Sequence, residues 1–264
     1  KHMSWLHCFW GIGATGGPYI MGLCLSRGMS WQAGYRTISF LQMALTLILL
    51  LSLPLWKKQE LPLSGGETVR PQTPQWGKLL KRPGVKAALT AFFFYSALEL
   101  TTGLWGSSYM VAVRGISAET AAKWISLFYL GITAGRFFSG FLTLRFSDDA
   151  MVRLGEGTAI VGILLILLPL HNLFLCLGLI LTGLGCAPIY PSLLHATPQR
   201  FGAALSQSLM GTQMAISYLG STTMPPVSGF LSEKISMGLY PVLLLVFALS
   251  MTVLTEKGRH CTAE

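Results

Sequence analysis

Apolar residues in this chain fall in long, almost unbroken runs. They do not alternate with polar residues as in a half-buried strand, nor do they form the narrow stripe of a soluble helix. Eight runs approach the roughly 20 apolar residues that a bilayer-crossing helix needs. They lie at about 5–26, 37–56, 87–112, 122–143, 155–170, 173–195, 204–231 and 239–255. The fifth and sixth are divided by Pro169-Leu170-His171-Asn172, a turn signal. The pattern predicts an all-α, polytopic membrane helix bundle with about eight transmembrane helices. The first run has two Trp, several Gly and no small-residue cleavage pattern, so it reads as a span and not as a signal peptide.

Composition agrees with that class. Of the 264 residues, 52% are hydrophobic and only 11% charged, against about 25% charged in soluble domains. Such a chain cannot cover a water-facing surface of its own size, which excludes a soluble enzyme. The net charge of +9 would suggest nucleic acid in a soluble protein. Here the basic residues collect in loops, as they do on the cytoplasmic side of membrane proteins, and no nucleic-acid partner is expected. Thirteen Lys and Arg fall on one side of the predicted spans and five on the other, with Arg136 inside the fourth run. That asymmetry predicts both termini of this chain in the cytoplasm, in a multi-pass plasma-membrane protein.

The one long connection, 57–86, holds four Pro, four Gly and seven basic residues. It reads as a basic cytoplasmic linker between 1–56, two helices of one bundle, and 87–264, a six-helix bundle.

Three runs share a terminal pattern: Pro18-x3-Gly22-x4-Arg27, Arg136-x3-Gly140-x4-Arg145 and Pro225-x3-Gly229-x4-Lys234. Residues 140–147 and 229–236 match further, and by the charge count these two runs point in opposite directions. Similar helices three spans apart with opposite direction indicate inverted three-helix repeats.

Four segments carry a family resemblance: Leu6-His7-Cys8-Phe9-Trp10-Gly11-Ile12-Gly13-Ala14, Ser96-Ala97-Leu98-Glu99, Gly135-Arg136 with Gly140 and Arg145, and Gly183-Leu184-Gly185-Cys186-Ala187-Pro188-Ile189-Tyr190-Pro191. With them the chain resembles the second half of a major facilitator superfamily transporter, in the fucose:proton symporter-like branch. The resemblance implies that the first two runs are the fifth and sixth of twelve helices. The last six would be the complete C-terminal domain, and the first four helices would be absent here and expected in the complete protein. The family's loop motif usually has an acid before the Arg. Leu144 stands there instead, which puts the usual inter-helix charge lock in doubt at Arg145.

Glu99 is the one acidic residue in the middle of a predicted span; the other nine fall in loops, in the tail or at span ends. A charged group at a helix centre costs about 2.5–3.5 kcal/mol on insertion scales, so it faces a cavity, a partner or a proton path. Glu99 is therefore the leading substrate-binding or proton-coupling candidate, the alternative being a protonated Glu bonded to a neighbouring helix. Tyr95 at i−4 and Thr102 at i+3 share its face, and Trp105 and Tyr190 are grouped with it. Gln213 and Ser217, at i and i+4, suit a hydroxylated solute or helix–helix adhesion equally. His7 and Gln42 are polar groups near span ends that could line a cavity. Arg136 is expected to snorkel along its stem toward the cytoplasm. Gly135, Gly140, Arg145 and Arg136 read as structural or gating residues. So do Pro188 and Pro191, which are expected to break the sixth helix, and Pro225 and Pro226, which are expected to break the seventh.

Other patterns are set aside. Gly11-x-Gly13-x-x-Gly16 follows no strand, so it is no dinucleotide site. Asp148-Asp149 reads as a solvated turn. Neither the five cysteines nor the five histidines have metal-ligand or disulfide-framework spacing, so no metal, cofactor or enzymatic activity is expected. The expected function is secondary transport of a small solute such as a sugar across a lipid bilayer by alternating access with proton coupling. The alternative is a non-transporting receptor or scaffold with the same fold.

Overall fold

A computed structural model describes residues 27–57 and 76–263, with Phe9, Gly13, Ile20 and Cys24 singly. These residues fall into two compact units, Ile12–Arg70, taken first below, and Lys1–Gly11 with Pro71–Glu264. The remainder of the first apolar run, His7 included, lies outside the described residues.

The first unit contributes α1, Trp31–Lys57. Most of its Leu and Ile side chains are exposed, with Ile38 half-buried. Its hydroxyls at Thr37, Ser39 and Thr46 donate to carbonyls one turn back, so these three groups are satisfied within the helix. Gln42 is exposed on this helix.

The second unit holds the short α2, Trp76–Leu79, and six long helices: α3 Val85–Ala112, α4 Ala118–Leu142, α5 Asp148–Leu167, α6 Asn172–Phe201, α7 Ala203–Lys234 and α8 Tyr240–Ala263. The last is preceded by a 3-10 turn at Met237–Leu239. Leu79 of α2 packs with Val85, Leu89, Phe201 and Leu209, so the end of the 57–86 segment folds against the bundle.

Most helix bounds follow the apolar runs, but α5 starts seven residues early. Ser147 caps it by accepting from the Ala150 amide at 3.3 Å, and Asp148 and Asp149 occupy its first turn. The sixth and seventh helices also correct an expectation. Pro188 and Pro191 lie inside a continuous α6, and Pro225 and Pro226 inside a continuous α7. A proline removes one amide donor, which close neighbouring helices can tolerate within a membrane bundle. The chain reverses at a single residue, Gly202, whose φ of 88° favours glycine.

Packing does not follow chain order. The helix α6 lies between α4 and α5, while α3 lies between α7 and α8. Each three-helix repeat thus lends its first helix to the other repeat, an exchange that an inverted pair can make symmetrically. Glycines permit the closest approaches inside both groups. A Cβ at Gly131 would fall 2.6 Å from the Ile180 carbonyl oxygen, and one at Gly155 would fall 2.6 Å from that of Gly185. Gly162 and Gly178 meet across α5 and α6, and Gly220 meets Phe93 across α7 and α3.

Six described helices are long and apolar enough to cross a membrane. They are α1, α3, α4, α5, α6 and α8; α7 has the length, but its Gln, Ser and Thr residues lower its hydropathy.

Candidate functional site

The buried centre of the second unit is a charge pair between α3 and α4. Arg136 Nη2 donates to Glu99 Oε1 at 3.3 Å, with both side chains under one-tenth exposed. Glu99 has fourteen residues of α3 before it and thirteen after, so it sits at the middle of that helix. Arg136 lies six residues from the end of α4. The expected snorkelling toward that near end does not occur. Side chains lean toward the N-terminal end of their own helix. That lean carries the guanidinium back toward the level of Glu99 on the antiparallel neighbour, where a buried carboxylate offers more than a distant headgroup.

Aromatic groups and a thiol enclose the pair. The buried Tyr95, one turn before Glu99, lies beside both charges, as does Cys186 of α6. The Tyr190 ring packs against Tyr95 at 5.7 Å and Phe92 at 5.3 Å. Tyr129 of α4, which the sequence pattern did not single out, also lies near Glu99 and presses its hydroxyl on Gly103.

The other predicted residues do not converge there. The Thr102 hydroxyl donates to the Leu98 carbonyl at 2.7 Å, and the Tyr240 hydroxyl donates to the Thr102 carbonyl at 3.0 Å. Trp105 Nε1 donates to the Pro225 carbonyl at 2.8 Å, its ring lying on Gly229. Gln213 is buried and accepts from the Thr197 hydroxyl at 3.0 Å, while Ser217 is hydrogen-bonded to Ser96. Each of these four residues takes part in a contact between helices, those of Gln213 and Ser217 being with Thr197 and Ser96.

Gly135 packs against Leu184 and Ala187 of α6, and Pro188 against Gly155 of α5. Gly140, Pro191 and Pro225 are buried, whereas Pro226 and Arg145 are exposed.

A second charged cluster lies where α5, α6 and α8 come together. Glu156 accepts from the Thr255 hydroxyl at 2.7 Å and is 2% exposed. Nearby, Arg153 makes two bonds to Glu256 at 2.8 and 2.9 Å, and Arg259 lies 3.1 Å from Glu256. Asp149 binds Arg200 and lies 3.8 Å from Arg259, and Asp148 meets His195 at 2.8 Å. The Asp148-Asp149 pair is thus no merely solvated turn. Glu156, which sits at the edge of the fifth apolar run, is a second buried carboxyl among the described residues. The missed signal was the Ser147-Asp148-Asp149 helix start.

Taken together, the apolar spans, the paired three-helix groups and the charges at depth define a polytopic membrane protein of transporter type. The sequence pattern of the Major Facilitator Superfamily matches residues 100–256, more than half of the chain, and the chain belongs to that superfamily. Bypass of stop codon protein 6 of Saccharomyces cerevisiae is 23% identical over 197 residues, covering 69% of this chain and 38% of that protein. The chain therefore spans well under half the length of that curated relative. A variant of the E. coli fucose:proton symporter, FucP, superposes with a TM-score of 0.73 at 18% identity, covering 97% of this chain and 67% of that one. FucP in the outward conformation gives 0.75 at 18% identity, covering 98% and 67%. At that identity the likeness is one of fold.

Proposed function

We propose that this chain works in a secondary transporter, which moves a small solute across a membrane by alternating access. A hydroxylated solute such as a sugar is the substrate class, with a proton as the coupling ion and Glu99 as the group that carries it. The observation behind this reading is the Glu99–Arg136 pair, buried at depth between two spans. A bundle needing only adhesion gains little from it, because removing two charges from water costs several kcal/mol per ion before their attraction repays it. A carboxylate that can exchange its arginine for a proton is a two-state element of the kind coupled transport requires. Tyr95, Tyr190 and Tyr129 supply aromatic faces and hydroxyls beside it. Residues 1–56 and 87–264 belong, on this reading, to two different bundles joined by 57–86. The thirteen-to-five basic asymmetry favours the plasma membrane with both termini of this chain inside.

The test is uptake by the full-length protein in proteoliposomes under an inward proton gradient, with labelled monosaccharides, fucose first. Uptake is expected in the unmodified protein, with Glu99→Gln abolishing the dependence on the gradient. Unchanged uptake and unchanged pH dependence in Glu99→Gln would sink the coupling role. The second reading, a receptor or scaffold, draws on the use of Gln213, Ser217, Trp105 and Thr102 for packing. Solute binding without counterflow exchange would favour it.

A further inference from the structure

The contacts that hold the six-helix unit together are of two kinds, and they are not mixed at random. Inside the α4–α5–α6 group backbones touch through glycine at Gly131, Gly155, Gly183 and Gly185; inside the α3–α7–α8 group they touch at Gly220, and Ser96–Ser217, Trp105–Pro225 and Tyr240–Thr102 join the same helices. Between the groups, side chains carry the contact. The α3–α4 junction has Glu99–Arg136, and Tyr129 and Ile125 reach across to Gly103 and Gly106. The α6–α7 junction has Thr197–Gln213, and the α5–α8 junction has Thr255–Glu156 and Arg153–Glu256. The boundary is also crossed by the Tyr190 ring on Phe92 and Tyr95, by the Tyr109 hydroxyl on the Ile166 carbonyl at 3.3 Å and by Arg259, 3.8 Å from Asp149.

Backbone-to-backbone packing has one good register, because a shift of an ångström drives a carbonyl into its neighbour. Long polar side chains can follow a displacement by changing rotamer, so a boundary made of them can separate and re-form at lower cost. We infer that the bundle moves as two three-helix bodies, α4–α5–α6 and α3–α7–α8, which open along this side-chain seam. The inference goes beyond the transport reading, in which the whole bundle rocks as one unit. It also stands or falls separately, since its measurement needs no solute.

Cys186 and Thr182 lie one turn apart on α6, both fully buried. Cys186 lies beside the seam pair, while Thr182 packs on Gly162 of α5 inside one group. Two single-cysteine proteins in membranes would be compared under a small membrane-permeant thiol reagent. One keeps Cys186; the other carries Thr182→Cys with Cys186→Ala. Depth and helix are matched, so opening of the seam should label Cys186 about tenfold faster or more. Gln213→Leu, which removes one seam contact away from both probes, should raise the Cys186 rate further and leave Thr182→Cys unchanged. Equal rates at the two positions, or no response of Cys186 to Gln213→Leu, would overturn the inference and leave the bundle a single body.

Discussion

Glu99 and Glu156 are both buried carboxyls bridging the same two groups of helices, yet their surroundings differ. Glu99 meets one guanidinium, Arg136, within a shell of Tyr95, Tyr129, Tyr190 and Cys186. Glu156 meets a hydroxyl and stands at the inner edge of a cluster with Arg153, Arg200, Arg259, Asp149 and Glu256, whose rim is open: the Arg153 side chain is 62% exposed. An isolated pair has no substitute when one member goes. A cluster can redistribute its bonds, and its outer members are screened by water. One arrangement makes charge indispensable at a point, and the other spreads it over three helix ends.

The largest expected effect is at the isolated pair. Arg136→Met leaves Glu99 without its guanidinium and should destabilise the bundle by about 3–5 kcal/mol, read as a lowered unfolding temperature in detergent. Adding Glu99→Gln removes the stranded charge and should recover much of that loss. If the double variant is no better than the single, the two groups are not acting as a pair.

A smaller loss is expected at the cluster's inner edge. Thr255→Val deprives Glu156 of its donor and should cost about 1–3 kcal/mol by the same assay. A loss equal to that of Arg136→Met would erase the contrast between the regions.

The smallest effect belongs to the rim. Arg153→Ala should leave the unfolding temperature unchanged within error, because Glu256 keeps Arg259. A clear drop there would mean that the rim shares the rigidity of the interior.

What could be read from residue order alone divides along physical lines. Apolar run length located the described spans, since crossing a bilayer is a property of each segment by itself. Glu99 stood out for the same reason: a charge at mid-run is visible without knowing any neighbour. Its partner was not visible. Arg136 could as well have reached the membrane surface, and only the placement of α4 against α3 decides between them. Gln213 and Ser217 were placed on one face by helical spacing, but Thr197 and Ser96, which use them, come from other helices. The prolines misled in the opposite direction. Read locally they end a helix, yet close packing on both sides of α6 carries it through Pro188 and Pro191. Glu156 stood at the start of the fifth apolar run and read as a span-end acid, because its partner Thr255 comes from α8.

The exchange of first helices between the repeats has a consequence for biosynthesis. The chain is made from its amino-terminal end, so α4, α5 and α6 can complete their group as soon as Phe201 has emerged. The helix α3 is made first and finds its close partners last. Roughly 90 residues separate Ala112 from the start of α7, about 5–18 s of synthesis at 5–20 residues per second. Through that interval α3 holds a carboxyl in the bilayer, with α4 as the first neighbour able to answer it. Tyr129 on Gly103 and then Glu99–Arg136 are thus early contacts that can keep the nascent helix in place while the ribosome supplies the rest of its group.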